Sequence, residues 1–189
     1  MQHEFLWNFL GSRLAKVLLA AAIILVFLWR FESARKKSTR EFAASKGYAF
    51  EAKLTDTYLH LEETSFFQKG DIIKNVVRGV LPDTTIGRWG LRGAPFALFE
   101  HETIRREEGD FTQTIVAFEL KTESMFRSAT RGPYGVQLFG DVWTIERAGN
   151  HVFVWKAQGR IPVRDLEQFL QSALCSFQLS RVHSSLMGG

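Results

Sequence analysis

Residues Val17 to Trp29 read VLLAAAIILVFLW, without a charged or strongly polar side chain. This stretch separates an anchor from a water-soluble remainder. As a helix it rises only about 20 Å, short of a hydrocarbon core of about 30 Å. The apolar character extends outward from Leu10 to Phe31, interrupted by Ser12, Arg13, Lys16 and Arg30. The three cations lie near the ends, where long side chains reach the headgroups. Trp7 and Trp29 stand where interfacial aromatics belong. The run predicts a single membrane-spanning helix, with some thinning of the bilayer.

Three other readings fit less well. A cleaved signal peptide needs small residues after its apolar core. Here the core runs into Trp29-Arg30-Phe31-Glu32. A buried core helix and a surface-lying helix would each be apolar on one side, and this run is apolar all round.

Charge sets the expected orientation. Arg13 and Lys16 precede the run; Arg30, Arg35, Lys36, Lys37, Arg40 and Lys46 follow it. The positive-inside rule then places the C-terminal part in the cytoplasm. The membrane-interface set is Trp7, Arg13, Lys16, Trp29, Arg30, Arg35, Lys36 and Lys37, and the lipid bilayer is the first expected partner. A basic block at this place orients a protein and attracts anionic lipid.

The chain has 189 residues, net charge +4, 17 Phe and a single cysteine. Subtracting an anchor and stalk of about 45 residues leaves roughly 140, the size of one domain. One cysteine excludes an intrachain disulfide and a cysteine zinc cluster. Cys175 lies in an apolar periodic segment and is expected to be buried.

The expected organisation is a tail and anchor at 1–31, a basic helical stalk at 32–47, a soluble domain at 48–179 and a disordered tail at 180–189. In the stalk, Glu32 and Lys36 stand at the i,i+4 spacing, and Gly47 reads as the stop. Tyr48–Lys53 and Thr57–Leu61 read as short strands. LEETSFFQKG reads as a helical turn, and Ile72–Leu81 as a strand rich in β-branched residues. Ala94–Arg105 and Phe111–Lys121 flank a glycine-bearing loop and predict an antiparallel hairpin. Asp141–Glu146 and His151–Lys156 predict a second, around Arg147-Ala148-Gly149-Asn150. A last helix begins near Pro162. Its apolar residues Leu166, Phe169, Leu170, Ala173, Leu174 and Phe177 form one stripe. The fold class is α+β: an N-terminal transmembrane helix, then an antiparallel sheet, open or curled into a barrel, packed by a C-terminal amphipathic helix.

The succession of a basic anchor-stalk, NVVRGVL, GAPFALFEHET, FTQTIVAFEL and HVFVWKAQGRIPVRDLEQFLQSAL resembles a group of bacterial single-pass membrane proteins of unassigned activity. The likeness covers most of positions 17 to 178. Phe99-Glu100-His101 departs from it, where an acid and an aromatic would be typical. The resemblance implies a bacterial cell-membrane protein and carries over no catalytic residue.

Motifs for chemistry are lacking. His3, His60, His101, His151 and His183 are scattered, with no H-E-x-x-H and no zinc spacing. Ser45, Ser124 and Ser128 lack a G-x-S-x-G setting. Glu100, Glu102, Glu107, Glu108 and Asp110 cluster on the first hairpin and read as solvated; a cation site or an acid/base pair at Glu100 and Glu102, which share a strand face, is the alternative. Gly87 to Gly93 reads as a turn, with an anion nest as the alternative. The arginines are spread, so nucleic acid is not expected as a partner. No catalytic residue, cofactor or metal is expected. The leading reading is a membrane-tethered, non-enzymatic interaction or scaffolding domain, with a membrane protein complex as partner. Alternatives are an anchored lipid- or small-molecule-binding domain, with its pocket inside a curled sheet, and an enzyme.

Overall fold

A computed structural model of the chain describes residues 13–54, 59–81, 93–105, 109–120, 132–138, 140–157 and 159–187, with the backbone alone at 13, 104–105, 109–110 and 180–187. It divides into two compact units, 1–38 and 39–189.

In the first unit the apolar run is helical throughout. It belongs to α1, Arg13–Ser45. Its large side chains have no protein partner to cover them: Leu25 is 66% exposed, Phe27 73% and Trp29 70%.

The second unit takes in the last turns of α1, which the sequence assigns to the stalk. Thr39 and Ala43 are buried there. The helix stops at Gly47, whose φ of 71° is open to glycine at little cost. The Tyr48 amide donates to the Ala43 carbonyl (2.8 Å) and the Gly47 amide to that of Ala44 (3.2 Å). These are the two bonds of a Schellman stop.

Seven strands follow: β1 Ala49–Lys53, β2 Ile72–Val80, β3 Pro95–Arg105, β4 Gly109–Glu119, β5 Tyr134–Leu138, β6 Asp141–Ala148 and β7 His151–Lys156. They form one antiparallel sheet in the order β1-β2-β3-β4-β7-β6-β5. The sheet is not closed, so the barrel alternative is replaced by an open sheet with a layer on each face. The C-terminal helix, α2 Leu166–Met187, lies on one face, where Val77, Phe96, Val116, Phe118, Trp143, Ile145 and Val154 form a core with its stripe. The other face buries Ile73, Val76, Ala97, Phe99, Ile115, Phe153 and Trp155 beneath Leu59, Leu61 and Phe66. A barrel interior would absorb only one of these two residue sets; burying both requires a cover on each side.

Side chains alternate along β4, as a strand's period of two requires. Val116, Phe118 and Leu120 meet α2, while Ile115 and Ala117 meet the opposite cover. All six stripe residues of α2 are buried.

Several boundaries differ. Arg147 and Ala148 are in β6, so the second hairpin turns on Gly149-Asn150 alone. Leu61 opens a 3₁₀ turn, Leu61–Glu63, instead of ending a strand, and residues 55–58 lie outside the described set. The short β5 carries no strong pattern in the sequence and forms through pairing with β6. Cys175 is exposed: it follows Leu174 by one position, which turns it off the apolar stripe. The helix continues to Met187, past the point where the sequence reads as disordered.

Gly79 allows close packing. A Cβ there would run into the Tyr48 ring and lie 2.8 Å from that of Phe96; the two rings themselves meet edge-on with centroids 5.0 Å apart. Gly79→Ala is expected to destabilise the domain by about 1–3 kcal/mol through overpacking. Urea unfolding checks this; an unchanged midpoint would contradict it.

Candidate functional site

Three features could carry function: the apolar helix, a buried polar network and a cleft beside α2.

The first holds most of the membrane-interface residues. Lys16, Trp29, Arg30, Lys36 and Lys37 are exposed and Arg35 is half-buried. Arg13 begins the helix, and Trp7 lies outside the described residues.

Buried polar groups lie on both faces of the sheet: Glu100 shares the face of Leu98, toward α2, and His101 that of Phe99, on the opposite side. In β2 the register shifts between Lys74 and Val77, and Asn75 takes a left-handed φ of 52°. This is a bulge at a residue type that tolerates the conformation. It aims the Asn75 amide into the fold, where Nδ2 donates to Oε2 of Glu100 (3.1 Å). Arg160 Nη2 reaches the same oxygen at 3.1 Å. One residue along β3, His101 places Nε2 2.7 Å from Asp71 Oδ2 and Nδ1 3.4 Å from Gln113 Nε2. Lys74 pairs with Glu102. Phe66 stands edge-on to the His101 ring at 5.3 Å.

Glu100 is therefore buried and paired, not solvated at a hairpin tip. The signal was present in GAPFALFEHET: a Glu and a His in succession within an otherwise apolar strand need partners when buried. The Asp71–His101 pair resembles the orienting half of a general base. Both side chains are sealed, at 5% and 1% exposure. The Gln113 amide stands beside the ring, and the Gln68 backbone amide donates to Asp71 Oδ2 (2.9 Å). A base needs reach to the proton it takes. The network's chemistry is that of satisfied core polar groups.

A cleft of about 470 Å³ lies between the sheet and the start of α2. Trp143 and Phe169 stack at its floor, 5.3 Å between centroids and 29° between planes. Lys156 Nζ stands 4.9 Å over the Trp143 ring and donates to Asp141 Oδ2 (2.7 Å). Asp165, Gln168 and Ser172 also line it. Its size is that of small-molecule sites. The sequence missed it because Leu138, Trp143 and Phe169 come from three separate elements.

A smaller cavity, about 110 Å³, is lined by Arg78, Glu119 and His151 among Leu59, Phe96 and Ala117. His151 is 1% exposed. Burial lowers its pKa below 6.5; nearby Glu119 opposes this and nearby His60 adds to it.

Among the described residues, no group of three or more His, Cys, Asp or Glu side chains is placed to hold a metal ion. The Gly87–Arg92 stretch and the acids at 107 and 108 lie outside the described set.

Together these features define an α+β domain in a chain whose N-terminal helix is long and apolar enough to cross a membrane. Comparison with protein-family models, with curated proteins and with solved structures found no match.

Proposed function

We propose that this chain is a single-pass protein of the bacterial cell membrane that holds a non-enzymatic interaction or scaffolding domain at the cytoplasmic face. One observation carries the reading: the large apolar side chains of α1 from Leu14 to Phe31 stand exposed over a membrane-spanning length. Exposed apolar surface on that scale needs lipid or another chain. The spanning helix enters lipid, and tethering raises the domain's effective concentration near membrane partners. The cations after the run add attraction to anionic lipid, about 1 kcal/mol for each near the surface. The pairing of buried polar groups with one another supports a domain that binds rather than catalyses. The helix runs unbroken past Glu32, which favours a retained anchor over a cleaved leader.

Cys175 gives a direct test of sidedness, being the chain's single cysteine and exposed. A membrane-impermeant maleimide is expected to leave it unlabelled in intact cells and to label it after permeabilisation. Labelling in intact cells would reverse the orientation.

A second reading is favoured by the cleft: an anchored domain that binds an amphipathic small molecule over Trp143 and Phe169. Native mass spectrometry of the chain extracted in detergent should then retain the molecule, and Phe169→Glu should lose it.

A further inference from the structure

Among the described residues, a thin strap, 59–71, covers the face of the sheet opposite α2. Leu59, Leu61 and Phe66 supply its apolar contacts. Phe66 meets Phe153 edge-on at 5.4 Å and Trp155 at 5.0 Å. Polar bonds pin it along its length. The Ser65 amide and hydroxyl donate to the two Glu146 oxygens, each at 2.7 Å. The Gly149 amide donates to Glu63 Oε2 (3.1 Å). At the far end Asp71 meets His101.

The near end is built differently. His60 holds a left-handed φ of 49°, unusual for a side chain of its size. This conformation lays its ring against Gly149, where a Cβ would come within 3.3 Å. It also brings the ring within 6.3 Å of the buried His151 ring. Two imidazoles thus face each other across the strap–sheet boundary.

We propose that the His60–His151 pair is an acid-sensitive latch, which frees the near end of the strap, at Leu59 and Leu61, and uncovers the His151 and Phe153 side of the sheet when His151 gains a proton. The charged groups around His151 set the sign. Glu119 on β4 attracts the imidazolium. Arg78 on β2, which lines the same cavity, and a protonated His60 on the strap repel it. Glu63 lies 3.4 Å from His60 Nδ1, and Arg147 on β6 lies beside Glu63. Burial opposes the charge on His151 and outweighs Glu119. Opening the strap hydrates the imidazolium, so acid favours the open form.

The far end is held separately, by the buried Asp71–His101 contact and by Phe66 against the His101 ring. Acid therefore loosens one end while the other stays fixed, and the strap swings without leaving. The latch does not depend on the membrane reading.

The test uses the full-length chain in detergent micelles, followed by amide hydrogen exchange and Trp fluorescence between pH 7.5 and 5. After correction for intrinsic rates, the Ser65 and Gly149 amides are expected to lose protection on acidification, while the β3 and β4 amides keep theirs. Trp155 emission should stay in place, because Phe66 covers it from the end that His101 holds. His151→Asn should abolish the pH response, and His60→Asn should reduce it. Strap amides that stay protected at pH 5, or sheet amides lost together with them, would overturn the latch. Should His151→Asn fail to fold, the His151 ring resonances of the wild-type chain decide. Titration of that ring without change at Ser65 and Gly149 refutes the proposal; coincident titration sustains it.

Discussion

Arginine at both Ile24 and Leu25 is expected to remove the chain from the carbonate-resistant membrane pellet. Both side chains lie mid-helix and are more than half exposed, at 58% and 66%. Each now favours insertion by about 0.5 kcal/mol, and an arginine at the helix centre costs about 3 kcal/mol on the insertion scale. The pair therefore loses roughly 7 kcal/mol, more than snorkelling from the centre can restore. The sheet unit begins at Thr39 with its own core, so its β-rich circular dichroism should persist in the variant. Full retention of the double variant in the pellet would reject the spanning helix. Lys16→Leu at the end of the run should change little, because its cation already lies where headgroups are in reach.

Arg160→Met should be among the most destabilising substitutions in the soluble unit. It takes the guanidinium away from the buried Glu100 carboxylate, 3% exposed, to which the Asn75 amide also donates. Removing one partner of a buried ion pair costs about 3–5 kcal/mol, largely the penalty of an uncompensated charge. Arg160 is itself 18% exposed, which allows some water to relieve the carboxylate. The lower end, about 3 kcal/mol, is therefore expected. Replacing both groups, Glu100→Leu with Arg160→Met, should recover most of the loss, since neither charge is then buried alone. Guanidinium unfolding of the two single variants and the double variant closes the cycle. A single variant as stable as the parent would show that the pair contributes nothing.

The pH response of His151 belongs to the same account of buried polar groups. Its folded pKa lies below 6.5, so stability from the neutral form is complete above that value. It is lost as pH falls from 6.5 through the lower folded pKa. In the latch, part of that loss appears as opening of the strap before the sheet itself yields.

Much of this fold can be read directly from residue order. The run from Val17 to Trp29 is apolar on every side, which suits lipid and little else. The stripe from Leu166 to Phe177 has the helical period, and all its members are buried. The alternation in FTQTIVAFEL assigns two faces to β4, and both assignments hold. Gly47 and Pro162 mark a helix end and the approach to a helix start, because each acts through its own backbone. These signals are local, fixed by period, capping and turn chemistry within a few residues.

What pattern could not supply depends on residues far apart in the chain. The burial of Glu100 follows from Arg160 and Asn75 reaching it from other elements. The exposure of Cys175 follows from which face of α2 meets the sheet. The choice of an open sheet over a barrel was made by the strap and α2, which cover both faces and leave no free side to curl inward. β5 exists because β6 offers it an edge. The cleft over Trp143 and the pairing of His60 with His151 arise where separate elements meet. Sequence alone determined the elements and the apolar anchor, since hydrophobic period and backbone preference are properties of neighbouring residues. Tertiary structure alone decided which polar groups are paired and where hollows remain, since burial is a property of the whole packed domain.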